Sequence, residues 1–148
     1  MLSSDPKKVV QADRVVKATP QQIFDLLADP RKHSLIDGSG SVQQARLNAP
    51  ERLSLGAKFG MDMKIGLPYR ITNEVVEFDE PTRIGWRHFG GHVWRYILEP
   101  VDDGTKVTEQ FDWTHSKSPI VLKVSGAFDK NQKSIVATLE RLAAHFEK

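Results

Sequence analysis

The chain has 148 residues, 39% apolar and 27% charged, with 21 Lys and Arg against 19 Asp and Glu. That length suits one domain, residues 1–148, and the interspersed, nearly balanced charge offers no basic stripe for a nucleic acid. The absence of cysteine excludes disulfides and thiolate metal sites, and no apolar run nears the roughly 20 residues that cross a bilayer.

The N-terminal stretch MLSSDPKKVVQADR carries lysines with no apolar segment after them, so a cytoplasmic protein without a secretion signal is expected. A first strand is predicted over Val9 to Lys17. Thr19-Pro20 then supplies a capping hydroxyl and a first-turn proline, and Ile23, Phe24, Leu26 and Leu27 give the following short helix an apolar face. Asp29-Pro30 ends it, because a residue before proline resists the helical region. A second short helix from Arg31 to Ile36 precedes the turn Gly38-Ser39-Gly40.

From Ser41 to Ser116 the pattern is strands and turns. Phe59, Met61, Met63 and Ile65 alternate with small or polar residues. Strands are expected over Tyr69 to Phe78, Ile84 to His88, His92 to Leu98 and Lys106 to Thr114, with Asp103-Gly104 as a tight turn. Ser118 and Pro119 open a last helix, on which Val121, Val124, Phe128, Ile135, Leu139, Leu142 and Phe146 recur at helical spacing as one stripe. Gly126 interrupts it, read either as close packing, as ligand approach or as a kink. This order predicts an α+β fold, an antiparallel sheet with a long helix against one face.

Several phrases carry a family resemblance: ATPQQIFDLLADPRKH at Ala18 to His33, NEVVEFDEPTRIGWR at Asn73 to Arg87, LEPVDDGTKVTEQFDW at Leu98 to Trp113, and the terminal ATLERLAAHFEK. Together they resemble the START-like, or SRPBCC, superfamily, especially its bacterial polyketide cyclase/dehydrase and lipid-transport branch. The resemblance implies a helix-grip fold: a curved seven-stranded antiparallel sheet wrapped around the C-terminal helix, with two short helices after strand 1, enclosing a deep cavity. Members carry lipids, sterols, hormones or polyketides, and a minority are cyclases, aromatases or dehydratases. They share no catalytic motif that carries over to positions of this chain.

Hairpin registers extend the reading to the cavity wall. With Asp103-Gly104 as the turn, Leu98 faces Glu109, Tyr96 faces Phe111 and Trp94 faces Trp113. A three-residue loop Phe89-Gly90-Gly91 sets Trp86 opposite Trp94 and Ile84 opposite Tyr96, and avoids Arg87 against Arg95. Three rows then cross the inner face: Ile84, Tyr96, Phe111; Trp86, Trp94, Trp113; and His88, His92, His115. The tryptophans with Tyr96 and Phe111 are read as ligand-lining, since indole gives a broad apolar surface and one N–H. Met61 and Met63 add an adaptable wall. On the helix, Phe128 joins the lining, and Gln132, with Asn131 further round, is the polar interruption that could reach a ligand.

The histidine row offers acid/base chemistry, a metal site or a polar rim. Neighbouring strands lie about 4.8 Å apart, so three ligands along a row converge poorly, and no metal or other cofactor is expected. Glu109 is a candidate anchor or general acid, or a carboxylate reaching water near the sheet's end. His33 and His145 read as surface residues. No Ser-His-Asp order, phosphate loop or HExxH motif is present. The expectation is therefore a hydrophobic-ligand or lipid binder, for transport or sequestration, with neither nucleic acid nor an integral membrane segment, as monomer or homodimer. The alternatives are a cyclase-, aromatase- or dehydratase-type enzyme using His88, His92, His115 or Glu109, and a protein-interaction or chaperone-like module.

Overall fold

The structure, a computed structural model, describes residues 3–39, 42–45, 49–65, 67–88 and 90–147, without the side chains of 43–45 and 65. Gly40, Ser41, the Ile65 side chain and Phe89, all used in the sequence reading, lie outside the described residues. Strand β1 (Val9–Val16) leads to helix α1 (Pro20–Leu27), a one-turn 3-10 segment at Pro30–Lys32 and helix α2 (His33–Ile36). Strands β2 (Val42–Ala45), β3 (Lys58–Ile65), β4 (Leu67–Asp79), β5 (Arg83–Arg87), β6 (Val93–Val101) and β7 (Gly104–Asp112) follow. Helices α3 (Pro119–Val124) and α4 (Ala127–Phe146) end the chain. All seven strands form one sheet, in the order β1-β7-β6-β5-β4-β3-β2, with antiparallel neighbours throughout.

Local chemistry accounts for the first helix. Thr19 Oγ1 accepts from Gln22 N, and Gln22 Oε1 accepts from Thr19 N, a capping box that satisfies two donors at once. Ile23, Phe24, Leu26 and Leu27 are all buried, and Phe24 meets Phe78 edge to face. On α4, Ile135, Leu139 and Leu142 are buried against the sheet as their spacing predicts. Gly38 fixes how closely the α2–β2 turn approaches α4. A Cβ there would sit 2.5 Å from Ala137 Cβ, and Gly38 N donates to Thr138 Oγ1.

Two expectations need correction. The C-terminal helix is not continuous. Gly126 adopts φ +72 and separates α3 from α4. A Cβ there would meet nothing within 4 Å, so its role is the left-handed backbone rather than close packing or ligand approach. Val121 and Val124 are consequently exposed rather than part of the buried stripe. The second correction concerns the β6–β7 hairpin. Val101 pairs with Gly104, so the turn is Asp102-Asp103 and the register slips by two residues from the one predicted. Gly104 is needed as the first residue of β7, where a Cβ would collide with Val16 O of the neighbouring β1. The slip is even, so every residue keeps its face but changes its partner. The β5–β6 register, by contrast, holds: Ile84 pairs with Tyr96 and Trp86 with Trp94.

The outer face of the sheet holds a buried ion cluster. Arg95, 1% exposed, bonds Glu77 through Nε and Nη2, and its Nη1 donates to Asp112 Oδ2 and Gln110 Oε1. Arg83 Nε donates to Glu77 Oε1 at 2.6 Å. Glu77 and Arg95 both pair with Gly85, on β4 and β6 either side of β5. The missing side chain at Gly85 is what lets them meet across the intervening strand. Burial pushes both carboxyls up, but the arginines at Glu77, and the Thr114 hydroxyl and backbone N–H together with Arg95 at Asp112, outweigh it and hold both below their ordinary values.

Arg95→Ala leaves the buried Asp112 without its cation and Glu77 with Arg83 alone, and should lose about 3–5 kcal/mol in urea unfolding. Because both folded-state pKa values are depressed, the wild-type contribution is complete above the ordinary carboxylate range and lost as pH falls through the folded values. The acid limb of stability against pH should accordingly be shallower in Arg95→Ala. Leu139→Ala, a truncation in the α4–sheet core, should cost about 2–5 kcal/mol in the same measurement.

Candidate functional site

Between the inner face of the sheet, α2 and α4 lies a cavity of about 270 Å³. β3 and β4 contribute Met61, Met63, Tyr69, Ile71 and Asn73 to its wall. β5, β6 and β7 contribute Trp86, Trp94, Tyr96, Glu109 and Phe111. The helical side supplies His33, Ile36, Leu122, Asn131, Ser134 and Thr138, with Asp37 and Ser39 from the turn after α2. His88 and His92 close one end.

The corrected register rearranges the predicted rows. Tyr96 pairs with Ile84 on one side and Glu109 on the other. Trp94 lies between Trp86 and Phe111, with its ring 4.9 Å from that of Phe111. Trp113 therefore leaves the tryptophan row and the cavity. Its ring packs at a tilt against that of Phe128, 4.8 Å away, with Lys8 and Lys123 ammonium groups over it. Phe128 does not line the cavity either, being used in that contact. Gln132 points to the sheet edge, where its Nε2 donates to Gln11 O, and Asn131 takes the inward position.

The histidine row is likewise broken. His88 and His92 are neighbours with ring centres 4.5 Å apart. His115 is exposed and binds the N-terminal segment, Nε2 lying 2.9 Å from Ser3 O. It belongs to a separate outer concavity with Lys58, Glu74, Arg87 and Lys117, which shares Asn73 and His88 with the inner cavity. Burial lowers the pKa of His88, and burial together with His88 lowers that of His92 to about 4, so both are neutral near pH 7. Among the described residues no three His, Asp or Glu groups are grouped as metal ligands.

Glu109 sits in the middle of β7, 5% exposed, away from the sheet's end and from water. Burial raises its pKa to about 8; the Tyr96 hydroxyl bonded to it pulls the value down and Asp37 pushes it up. Its Oε1 is buried with no hydrogen-bond partner. Asn73 Oδ1 is in the same condition, in a residue 4% exposed on the same cavity.

Two of these residues escaped the sequence reading. His33 is buried rather than on the surface: its ring stacks on Trp86 at 4.7 Å, and Nε2 lies 2.8 Å from Leu27 O. That carbonyl is in the last turn of α1, where backbone acceptors lack intrahelical donors, a local signal for a capping histidine after a short helix. Asn73 falls on the period-two face of Ile71 and Val75, both buried. Counting the alternation would have marked it as a polar side chain turned inward.

The sequence profile of a family described as polyketide cyclase/dehydrase and lipid transport matches residues 7–147. The chain is 36% identical over 138 residues to the uncharacterised protein Rv0088 of Mycobacterium tuberculosis, covering 88% of this chain and 61% of that protein. It thus spans about three fifths of the length of the curated relatives it matches. Among solved structures it is similar to protein CV1439 of Chromobacterium violaceum, with TM-score 0.70 and 18% identity over 95% of this chain and 98% of the other. It is also similar to the AHSA1-like protein of Aeromonas hydrophila, with TM-score 0.65 and 16% identity over 93% of each chain. These likenesses place the architecture among helix-grip folds.

The raised pKa of Glu109 gives a signed prediction. A carboxyl whose folded value lies above its ordinary 4.5 contributes stability below that value, and loses it as pH rises through about 8. The melting temperature of the wild type should therefore fall between pH 5 and 8 relative to that of Glu109→Gln, which has no proton to lose there. Parallel profiles for the two proteins would show that Glu109 is ionised throughout.

Proposed function

This chain belongs to the polyketide cyclase/dehydrase and lipid-transport family of the START-like superfamily, and from that premise we propose that it binds a hydrophobic or amphipathic small molecule between its sheet and α4, as a cytoplasmic carrier or sequestering protein. The observation that carries the reading is the composition of the cavity. Met61, Met63, Ile71, Trp86, Trp94 and Phe111 make an apolar and aromatic wall, with a few inward polar groups to fix orientation. Its volume of about 270 Å³ suits one small molecule rather than a macromolecular segment. Among the described residues no helix is long and apolar enough to cross a membrane.

A second reading, an enzyme of the cyclase or dehydratase type, draws on one observation: Glu109 is a carboxyl held neutral near pH 7 beside the Tyr96 phenol, the state a general acid requires. In that case Glu109→Gln would abolish turnover of a bound substrate while preserving its binding, whereas for a carrier the substitution changes affinity alone.

The test uses Trp113→Phe, which leaves Trp86 and Trp94 as the only indoles and so confines the fluorescence signal to the cavity. Titration with fatty acids, sterols and aromatic polyketides should change emission and raise the melting temperature in step with occupancy. Native mass spectrometry of gently purified protein should find an apolar molecule bound. A panel that moves neither emission nor melting temperature would sink the binding proposal and favour a protein-interaction role.

A further inference from the structure

Among the described residues, two buried side-chain polar atoms lack a hydrogen-bond partner, Glu109 Oε1 and Asn73 Oδ1. Buried polar groups in proteins are nearly always paired, so each orphan needs a reason. Both residues line the same cavity. They also mark its opposite ends. Glu109 stands on β7 in the row of Tyr96 and Ile84. Asn73 precedes Glu74, which pairs with Arg87, and this places it at the level of His88, four residues from Ile84 along β5. On a flat sheet the two would be about 14 Å apart across three strand spacings and about 13 Å along the strands, before curvature brings them together. Between them lie the rings of Trp86, Trp94 and Phe111. The pattern is an apolar channel with an unsatisfied polar group at each end.

Resting on the binding role proposed above, we infer that the ligand is an apolar molecule bearing two separated hydroxyl groups, one held by Glu109 and Tyr96, the other by Asn73. The choice of hydroxyl follows from the partners. A protonated Glu109 can donate and accept, an ionised one only accepts, and a side-chain amide presents an acceptor and a donor face. A hydroxyl does both, so it satisfies either state at each end. A carboxylate head at the Glu109 end would meet Glu109 and the nearby Asp37, both acidic, in a site that burial already makes hostile to charge. Near Glu109 two polar side chains are already engaged within the protein. The Asp37 carboxylate is taken by Ser39 and Val42 N, and Thr138 Oγ1 by Gly38 N.

The test compares α,ω-alkanediols of eight to fourteen carbons with mono-alcohols and fatty acids of the same lengths, by calorimetry on the wild-type chain. At the length that spans the cavity, the diol should bind about tenfold tighter than the mono-alcohol, the value of one further satisfied hydrogen bond between buried groups. Asn73→Leu and Glu109→Gln serve as variants. Asn73→Leu should erase the diol's advantage without lowering the melting temperature of the unliganded protein, since it removes an unpaired polar group. Glu109→Gln, which keeps both donor and acceptor, should retain most of it. A mono-alcohol that binds as tightly as the diol at every length, or a fatty acid that binds tightest, would overturn the two-hydroxyl assignment while leaving the binding role intact. Failure of every probe to bind would instead remove the binding role on which the inference rests.

Discussion

The ion cluster around Arg95 is the constraint on which the inner wall depends. By reaching across Gly85 to Glu77, Arg95 joins β4 to β6, and through Asp112 and Gln110 it adds β7. Because strand side chains alternate, fixing Arg95, Glu77 and Asp112 outward fixes Trp94, Tyr96 and Phe111 inward. A one-residue slip of β6 would bring charge into the cavity and indole to the surface. Such a buried cluster contributes little net energy over a well-packed apolar one, but it disfavours every register in which a charge loses its partner.

Inside the cavity the balance runs the other way. Among the described residues the buried charges of the outer face are all paired, whereas the inner face leaves Glu109 Oε1 and Asn73 Oδ1 unpaired. Each lowers the stability of the free protein, so a sequence selected for stability alone would replace both with apolar residues. Their presence together in one concavity, flanked by rings that leave a channel between them, is the departure from local consistency expected where a site is built.

Much of this was legible from sequence, and the failures have specific causes. The strands from β3 to β7, the first helix with its cap, and the inner faces of β5, β6 and β7 follow from periodicity and turn chemistry that act within a few residues. What failed depended on contacts from distant segments. The β6–β7 turn moved by one position at each end because Gly104 must clear the Val16 carbonyl of β1, 88 residues earlier in the chain. That shift took Trp113 out of its row and put Glu109 beside Tyr96. His33 looked exposed because a helix-end histidine reveals its ring stacking only once Trp86 is in place.

The break at Gly126 shows how one backbone angle can exchange the faces of a helix. At 100° per residue, an unbroken helix continued back from Ile135 would carry Val121 and Val124 within about 40° of the buried face, and Leu122 about 140° from it. The observed arrangement is inverted: Leu122 reaches the cavity, while Val121 and Val124 are 63% and 83% exposed. The left-handed residue resets the phase of the chain before α4 begins, so α3 covers the cavity with a different side chain from the one its spacing offers. A glycine at that position carries the reset without the steric cost another residue would meet at positive φ. The apolar stripe that reads as one helix is thus two segments in different phase, and only the second lies in register with the sheet.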